Sequence, residues 1–111
     1  MAAYCPARGD FVWIDFTPKL GHEQSGKRPG IVISPLAYNK TVGLMLCCPI
    51  TSKEKGYPFE VRVPEGHQIS GVVLTDQVRS LDWKTRNAAF ISRAPRELTE
   101  DVLAKLQTLL V

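Results

Sequence analysis

Through the first four-fifths of the chain, apolar side chains recur at alternate positions in short stretches bounded by turn-forming residues; at the end they recur every third or fourth position. Alternation marks strands and the longer period marks a helix. Residues 10–16 set Phe11, Trp13 and Asp15 on one side and Val12, Ile14 and Phe16 on the other. A strand apolar on both faces is expected to be buried on both, Trp13 included. Residues 30–34 and 43–50 predict a second and third strand, with Tyr38, Asn39 and Lys40 as the turn between them. Residues 57–63 alternate, with Tyr57, Phe59, Val61 and Val63 facing one way and Glu60 and Arg62 the other. Residues 71–78 and 87–91 predict two more strands. From Pro95 onward, Leu98, Val102, Leu103, Leu106, Leu109 and Leu110 form one apolar stripe of a helix. Pro95 suits its first turn, and Glu97, Glu100 and Asp101 complement the positive end of its dipole. About six short strands and one amphipathic C-terminal helix predict a mainly β (α+β) fold, a small half-open barrel. No repeat, linker or low-complexity tract divides residues 1–111, so one domain is expected.

Composition narrows the function classes. The 111 residues suffice for one core. A net charge of +3 is a mild bias toward anionic partners and does not by itself indicate nucleic acid. No apolar run approaches the roughly 18 residues of a membrane-spanning helix. The opening MAAYCPARGD lacks the basic and apolar regions of a secretory signal, so the expected location is cytoplasmic, with no membrane partner. Cys5, Cys47 and Cys48 are odd in number and include an adjacent pair, which argues against a disulfide framework. In LMLCCPI the pair reads as two small buried hydrophobes on opposite faces of a strand. Together with His22 and His67 the cysteines offer no paired ligand spacing, so no metal is expected. Neither GxGxxG nor GxxxxGK[ST] is present, and no cofactor is expected.

The densest chemistry lies in GHEQSGKRPGIVIS, residues 21–34. His22 exchanges protons near neutral pH, Glu23 accepts them, and Lys27 and Arg28 carry fixed charge. Pro29 biases Arg28 toward extended backbone, and the β-branched Ile31, Val32 and Ile33 then read as a strand. Four dissimilar reactive groups beside a rigid strand suit an active-site loop.

Five segments, GDFVWIDFTP, GHEQSGKRP, PITSKEKGYPFEV, GVVLTDQVRSLDW and PRELTEDVLAKLQTLL, follow one another in an order that resembles the MazF/PemK (Kid) family of toxin endoribonucleases. The resemblance covers nearly the whole chain. It implies an SH3-like barrel, a homodimer, and metal-independent cleavage of single-stranded RNA. The implied partner is a cognate antitoxin whose acidic and apolar C-terminal segment occupies the RNA groove. RNA supplies its own nucleophile, the ribose 2′-hydroxyl. The enzyme must align it in line, take its proton, neutralise charge on phosphorus and protonate the leaving 5′-oxygen.

By this resemblance Arg28 aligns with the family's catalytic loop arginine, and its planar guanidinium matches phosphate oxygens. Thr51 aligns with a catalytic threonine; a threonine there also commonly bonds its own turn backbone. Glu23, His22 and Asp76 compete for the acid and base duties. In the Kid branch a histidine, an arginine and an aspartate carry them, and this chain keeps His22 and Asp76 but has Leu74 where the acid arginine stands. That scheme does not transfer intact, and acid and base stay open among Glu23, His22, Asp76 and Arg28. Asp76 also suits a structural carboxylate bonding turn amides. RNA binding is expected from aromatics that stack bases, Phe16, Tyr57, Phe59 and Trp83, and from Lys27, Ser52, Lys53, Lys55, Arg79, Lys84 and Arg86. Core or dimer packing is the competing role of the aromatics, favoured for Trp13, Phe59 and Trp83. Loops at residues 17–27 and 52–56 are expected to be mobile. The same fold serves gyrase-poisoning CcdB toxins that act by protein binding, and an aromatic-rich groove that is acidic rather than basic would instead mark an SH3-like adaptor.

Overall fold

A computed structural model describes residues 3–17 and 26–111. The elements run β1 (Asp10–Asp15), β2 (Lys27–Val32), α1 (Leu36–Val42), β3 (Leu44–Thr51), β4 (Glu60–Arg62), β5 (Val72–Leu74), a 3-10 turn (Thr75–Gln77), β6 (Arg79–Asp82), β7 (Ala89–Arg93) and α2 (Arg96–Gln107). Every pairing is antiparallel. The sheet runs β4-β5-β3-β2-β1-β7, with β6 also on β3. β2 lies along one edge of β3, while β5 and β6 share the other. The sheet stays open, as expected of a half-open barrel, with one strand more than the pattern indicated.

Alternation along the strands feeds two cores. Phe11, Ile31, Cys48, Ile50 and Val73 pack with Leu98, Val102 and Leu106 of α2. Val12, Ile14, Phe16, Val32, Met45, Cys47 and Leu81 form a second core on the opposite face, flanked by Tyr4 and Trp83. Double-sided burial of β1 holds except at Trp13, which lies between Pro29 and Ala89 and is 40% exposed. Cys47 and Cys48 are free, buried and divided between the two cores. Burial pushes both thiols up, that of Cys48 to about 12, so neither is a ready nucleophile.

Several boundaries differ from the pattern. β2 begins at Lys27, so Lys27 and Arg28 are strand residues paired with Asp15 and Ile14. Residues 38–40 lie inside α1, not in a bare turn; Pro35 precedes the helix and Gly43 closes it with φ of 82°. Seven residues are too few to display a helical period. Asn39 on this helix is fully buried and donates to the carbonyls of Pro6 (2.9 Å) and Ser34 (3.1 Å), while its own carbonyl accepts from Trp83 Nε1 at 3.0 Å. The expected strand at residues 71–78 breaks at the 3-10 turn, and β6 follows. β4 keeps only three residues, leaving Tyr57 and Phe59 outside it. Leu109 and Leu110 fall beyond α2 and are exposed instead of extending its stripe.

β3 and β5 meet closely at Gly71. Its φ is 116°, and an added Cβ would stand 2.2 Å from the carbonyl oxygen of Thr51. Gly71→Ala is therefore expected to cost about 1–3 kcal/mol through backbone strain and the displaced strand. Urea unfolding reads this as a lower midpoint at unchanged slope; a midpoint equal to wild type would refute the tight approach.

Candidate active site

Arg28 and Thr51 stand at the ends of neighbouring strands. The β2–β3 ladder pairs Val32 with Cys47, Ile31 with Cys48 and Gly30 with Pro49. The ladder ends there, with Arg28 two residues before Gly30 and Thr51 two residues after Pro49. Pro29 and Pro49 bring no N–H to this end of the ladder, which favours its fraying into a fork. Beyond the fork β3 stays paired to β5, through Ile50 with Val73 and Thr51 with Val72.

Thr51 is 9% exposed, and its hydroxyl accepts the Lys53 N–H at 3.2 Å. The turn role is thus present, and the hydroxyl hydrogen is still available to donate. Residues 52–56 are tied down rather than loose. The Glu60 carboxylate accepts from the N–H groups of Lys55 (3.1 Å) and Gly56 (2.8 Å), and Glu54 pairs with Arg62 at 2.8 Å. Ser52, Lys53 and Lys55 point their exposure along this loop, and Lys27 is exposed at the start of β2. Lys84 is exposed in the turn after β6.

Three expected RNA ligands have other partners. The Phe16 ring is fully buried in the second core and offers no face to a base. Arg79 donates to the Phe16 carbonyl with its guanidinium 6.0 Å from the centre of the Phe16 ring. Arg86 donates to the carbonyls of Asp15 (3.0 Å) and Thr17. Sequence alone marks these arginines only as cations; their backbone partners lie more than sixty positions away and leave no local signal. Trp83 packs against the second core.

Tyr57 and Phe59 are half-buried and meet edge to face, ring centres 6.4 Å apart. The Tyr57 hydroxyl donates to Asp76 Oδ1 at 2.7 Å. Burial first, then this hydrogen bond, pushes the phenol up to about 12, so it stays protonated at neutral pH. Asp76 lies in the 3-10 turn, which packs against α2 and β3, and its charge helps raise the Cys48 thiol of the α2-side core. It therefore belongs with Tyr57, on the side of Cys48. Asp15 is held below the usual carboxylate range by hydrogen bonds from Thr17, with Arg86 and Arg79 adding to the effect. His22 and Glu23 lie outside the described residues.

A cleft of about 260 Å³ opens between residues 52–54 and 62–71. Glu54 and Glu65 face Arg62 and His67 there, so its wall carries both signs and is not the uniformly basic groove expected for phosphates. Among the described residues no group of three or more His, Cys, Asp or Glu side chains is placed to hold a metal. No helix among them is long and apolar enough to cross a membrane.

A family model for PemK-like, MazF-like toxins of type II toxin–antitoxin systems matches residues 7–110. The chain is 43% identical over 110 residues to the endoribonuclease toxin MazF of Escherichia coli strain K12, covering 99% of this chain and 98% of that protein. It is also similar to the crystal structure of MazF from Deinococcus radiodurans, with a TM-score of 0.93 at 52% identity over 97% of this chain and 98% of that one. A MazE–MazF complex from the same organism matches with a TM-score of 0.86 at 47% identity, over 97% of each chain. With the family model matching residues 7–110 and these relatives aligning over nearly the whole chain, the chain belongs to the PemK-like, MazF-like toxin family of type II toxin–antitoxin systems.

Proposed function

We propose that this protein is a toxin endoribonuclease that cuts single-stranded mRNA in the cytoplasm without a metal or other cofactor and is neutralised by a cognate antitoxin. The observation that carries this reading is the antiparallel β2–β3 ladder, which ends at Gly30 opposite Pro49, two residues from Arg28 on one strand and two from Thr51 on the other. Support also comes from relatives named as endoribonucleases and from the solved MazE–MazF complexes.

In the proposed reaction the ribose O2′ attacks the adjacent phosphorus and gives up its proton. The P–O5′ bond breaks and the leaving oxygen takes a proton, giving a 2′,3′-cyclic phosphate and a 5′-hydroxyl end. Arg28 neutralises the non-bridging oxygens as charge builds. The Thr51 hydroxyl, already held by the Lys53 N–H, donates to the same phosphate. Asp76 is engaged by Tyr57, so proton transfer falls to Glu23 and His22, which precede Arg28 in the sequence. Lys27, Ser52, Lys53, Lys55 and Lys84 supply phosphate contacts, and the half-buried rings of Tyr57 and Phe59 offer edges for bases. Homodimerisation is part of the same reading. Trp13 and Phe90 on β1 and β7, and Leu36, Tyr38 and Val42 on α1, leave apolar surface open on one chain. A gyrase-poisoning, binding-only role is not favoured, since the relatives are named as endoribonucleases.

Arg28→Ala and Thr51→Ala are each expected to lower the single-turnover cleavage rate by about 10²–10³-fold, the scale of one lost transition-state donor. Wild-type rates in either variant would remove that residue from the site. Cleavage of a long unstructured RNA is expected to proceed in EDTA and leave 5′-hydroxyl ends, with the matching DNA intact. Loss of cutting in EDTA would end the metal-free reading. Light scattering at micromolar concentration is expected to report a dimer; a monomer there would refute the assembly.

A further inference from the structure

The end of β1 is held in an unusual way. β7 pairs with β1 only from Asp10 to Trp13, so the outer edge of the strand beyond Trp13 has no β7 partner. Backbone carbonyls there still need donors. Three successive carbonyls accept from two guanidiniums: those of Asp15 and Thr17 on this open edge, and that of Phe16 on the β2 side, where its own N–H donates to Gly26. Arg86 takes the first and third, and Arg79 takes the middle one. That division follows the alternation of carbonyls along extended backbone. Arg79 sits on β6 opposite Cys47, on the second-core face, and Arg86 is fixed by its N–H donating to the Asp82 carbonyl at 3.1 Å. A planar fork with several N–H groups suits two carbonyls at once, which a single ammonium matches poorly.

The strand end so gripped is the one that registers Arg28. Ile14 pairs with Arg28, Asp15 pairs with Lys27, and the Phe16 N–H donates to the Gly26 carbonyl at 2.9 Å. We propose that Arg79 and Arg86 are positioning residues: by capping the carbonyls at the end of β1 they hold β2 in register and so place the Arg28 guanidinium, rather than binding RNA phosphates themselves. This rests on the cleavage reading above for its catalytic consequence.

The test separates placement from phosphate binding. Affinity for an RNA made uncleavable by a 2′-deoxy group at the scissile nucleotide is measured over a salt series, beside single-turnover cleavage of the ordinary RNA. Arg86→Ala and Arg79→Ala are expected to leave the salt slope unchanged while cleavage falls about 10–100-fold, the scale of a misplaced catalytic group. Arg86→Lys is expected to remain impaired despite its charge. In an Arg28→Ala background Arg86→Ala is expected to cost nothing further, because its effect runs through Arg28. A slope reduced by about one, the mark of a lost phosphate contact, overturns the proposal. So does an additive loss in the Arg28→Ala background. Amide hydrogen exchange supplies a readout independent of activity. In Arg86→Ala the Phe16 and Arg28 amides are expected to exchange faster than in wild type and in the surface control Lys84→Ala. Unchanged exchange overturns the proposal even if the wild-type protein cuts no RNA, an outcome that would itself sink the cleavage reading.

Discussion

Gly30 is the point at which β2, β3 and the end of β1 come together. A Cβ there would lie 2.7 Å from Cys47 Sγ, 3.0 Å from the Cys48 carbonyl oxygen and 3.1 Å from Phe16 Cζ. Its φ is not left-handed, so the requirement is for space and not for an unusual backbone angle. With no side chain at this position, the Phe16 ring lies over β2 and is sealed into the second core. Burying that ring fixes the backbone at position 16, and its carbonyl is then within reach of Arg79. Two residues before Gly30 stands Arg28; directly across from Gly30 is Pro49, two residues before Thr51. One small residue therefore sets the distance between the strands that carry both groups of the site.

The two cores divide the labour. The α2-side core is sealed by helix side chains and includes Cys48, whose thiol is kept protonated by burial. The second core has a polar edge at the end of β1. At that edge Asp15 stays ionised because Thr17 donates two hydrogen bonds to it, at 2.9 and 2.6 Å. A rigid apolar floor with charged groups only at its rim keeps the functional side chains on strand ends. Strand ends hold positions more closely than a loop does.

Much of the fold was legible because burial on a sheet follows a two-residue period. β1, β3 and the split of Cys47 from Cys48 between faces follow from alternation, and α2 follows from its stripe at Leu98, Val102 and Leu106. α1 was missed because its identity rests on a buried Asn39 network reaching Pro6 and Trp83, which no periodicity records. β5 and β6 were read as one strand because their apolar residues continue through the interruption, while the 3-10 turn that separates them depends on packing against α2 and β3. In the site, Arg28 and Thr51 could be singled out by residue type and resemblance. That their strands are neighbours could not, since the pairing of β2 with β3 across a helix leaves no local signal. Trp13 looked like core because its strand is apolar on both faces, yet its neighbours across the sheet, Pro29 and Ala89, leave it uncovered.

The sorting of the cations shows why sequence and structure give different answers about one residue type. Arg79, Arg86 and the lysines at 27, 53, 55 and 84 look equivalent along the chain, each a positive charge near the presumed RNA path. What separates them is the demand of the backbone around them. Where β7 stops short, the outer-edge carbonyls of Asp15 and Thr17 have no β7 donor and accept from Arg86, while the Phe16 carbonyl between them accepts from Arg79. A guanidinium that meets this need is committed to the protein and contributes to placement. The four lysines stand exposed on strand and loop ends. An ammonium in water sacrifices little by following a phosphate, so these are the charges suited to gripping RNA. The frame thus depends on where the sheet leaves hydrogen bonds unmade: the gap beyond Trp13 recruits Arg86, Arg79 meets the Phe16 carbonyl beside it, and the β2–β3 ladder stops two residues short of Arg28 and Thr51.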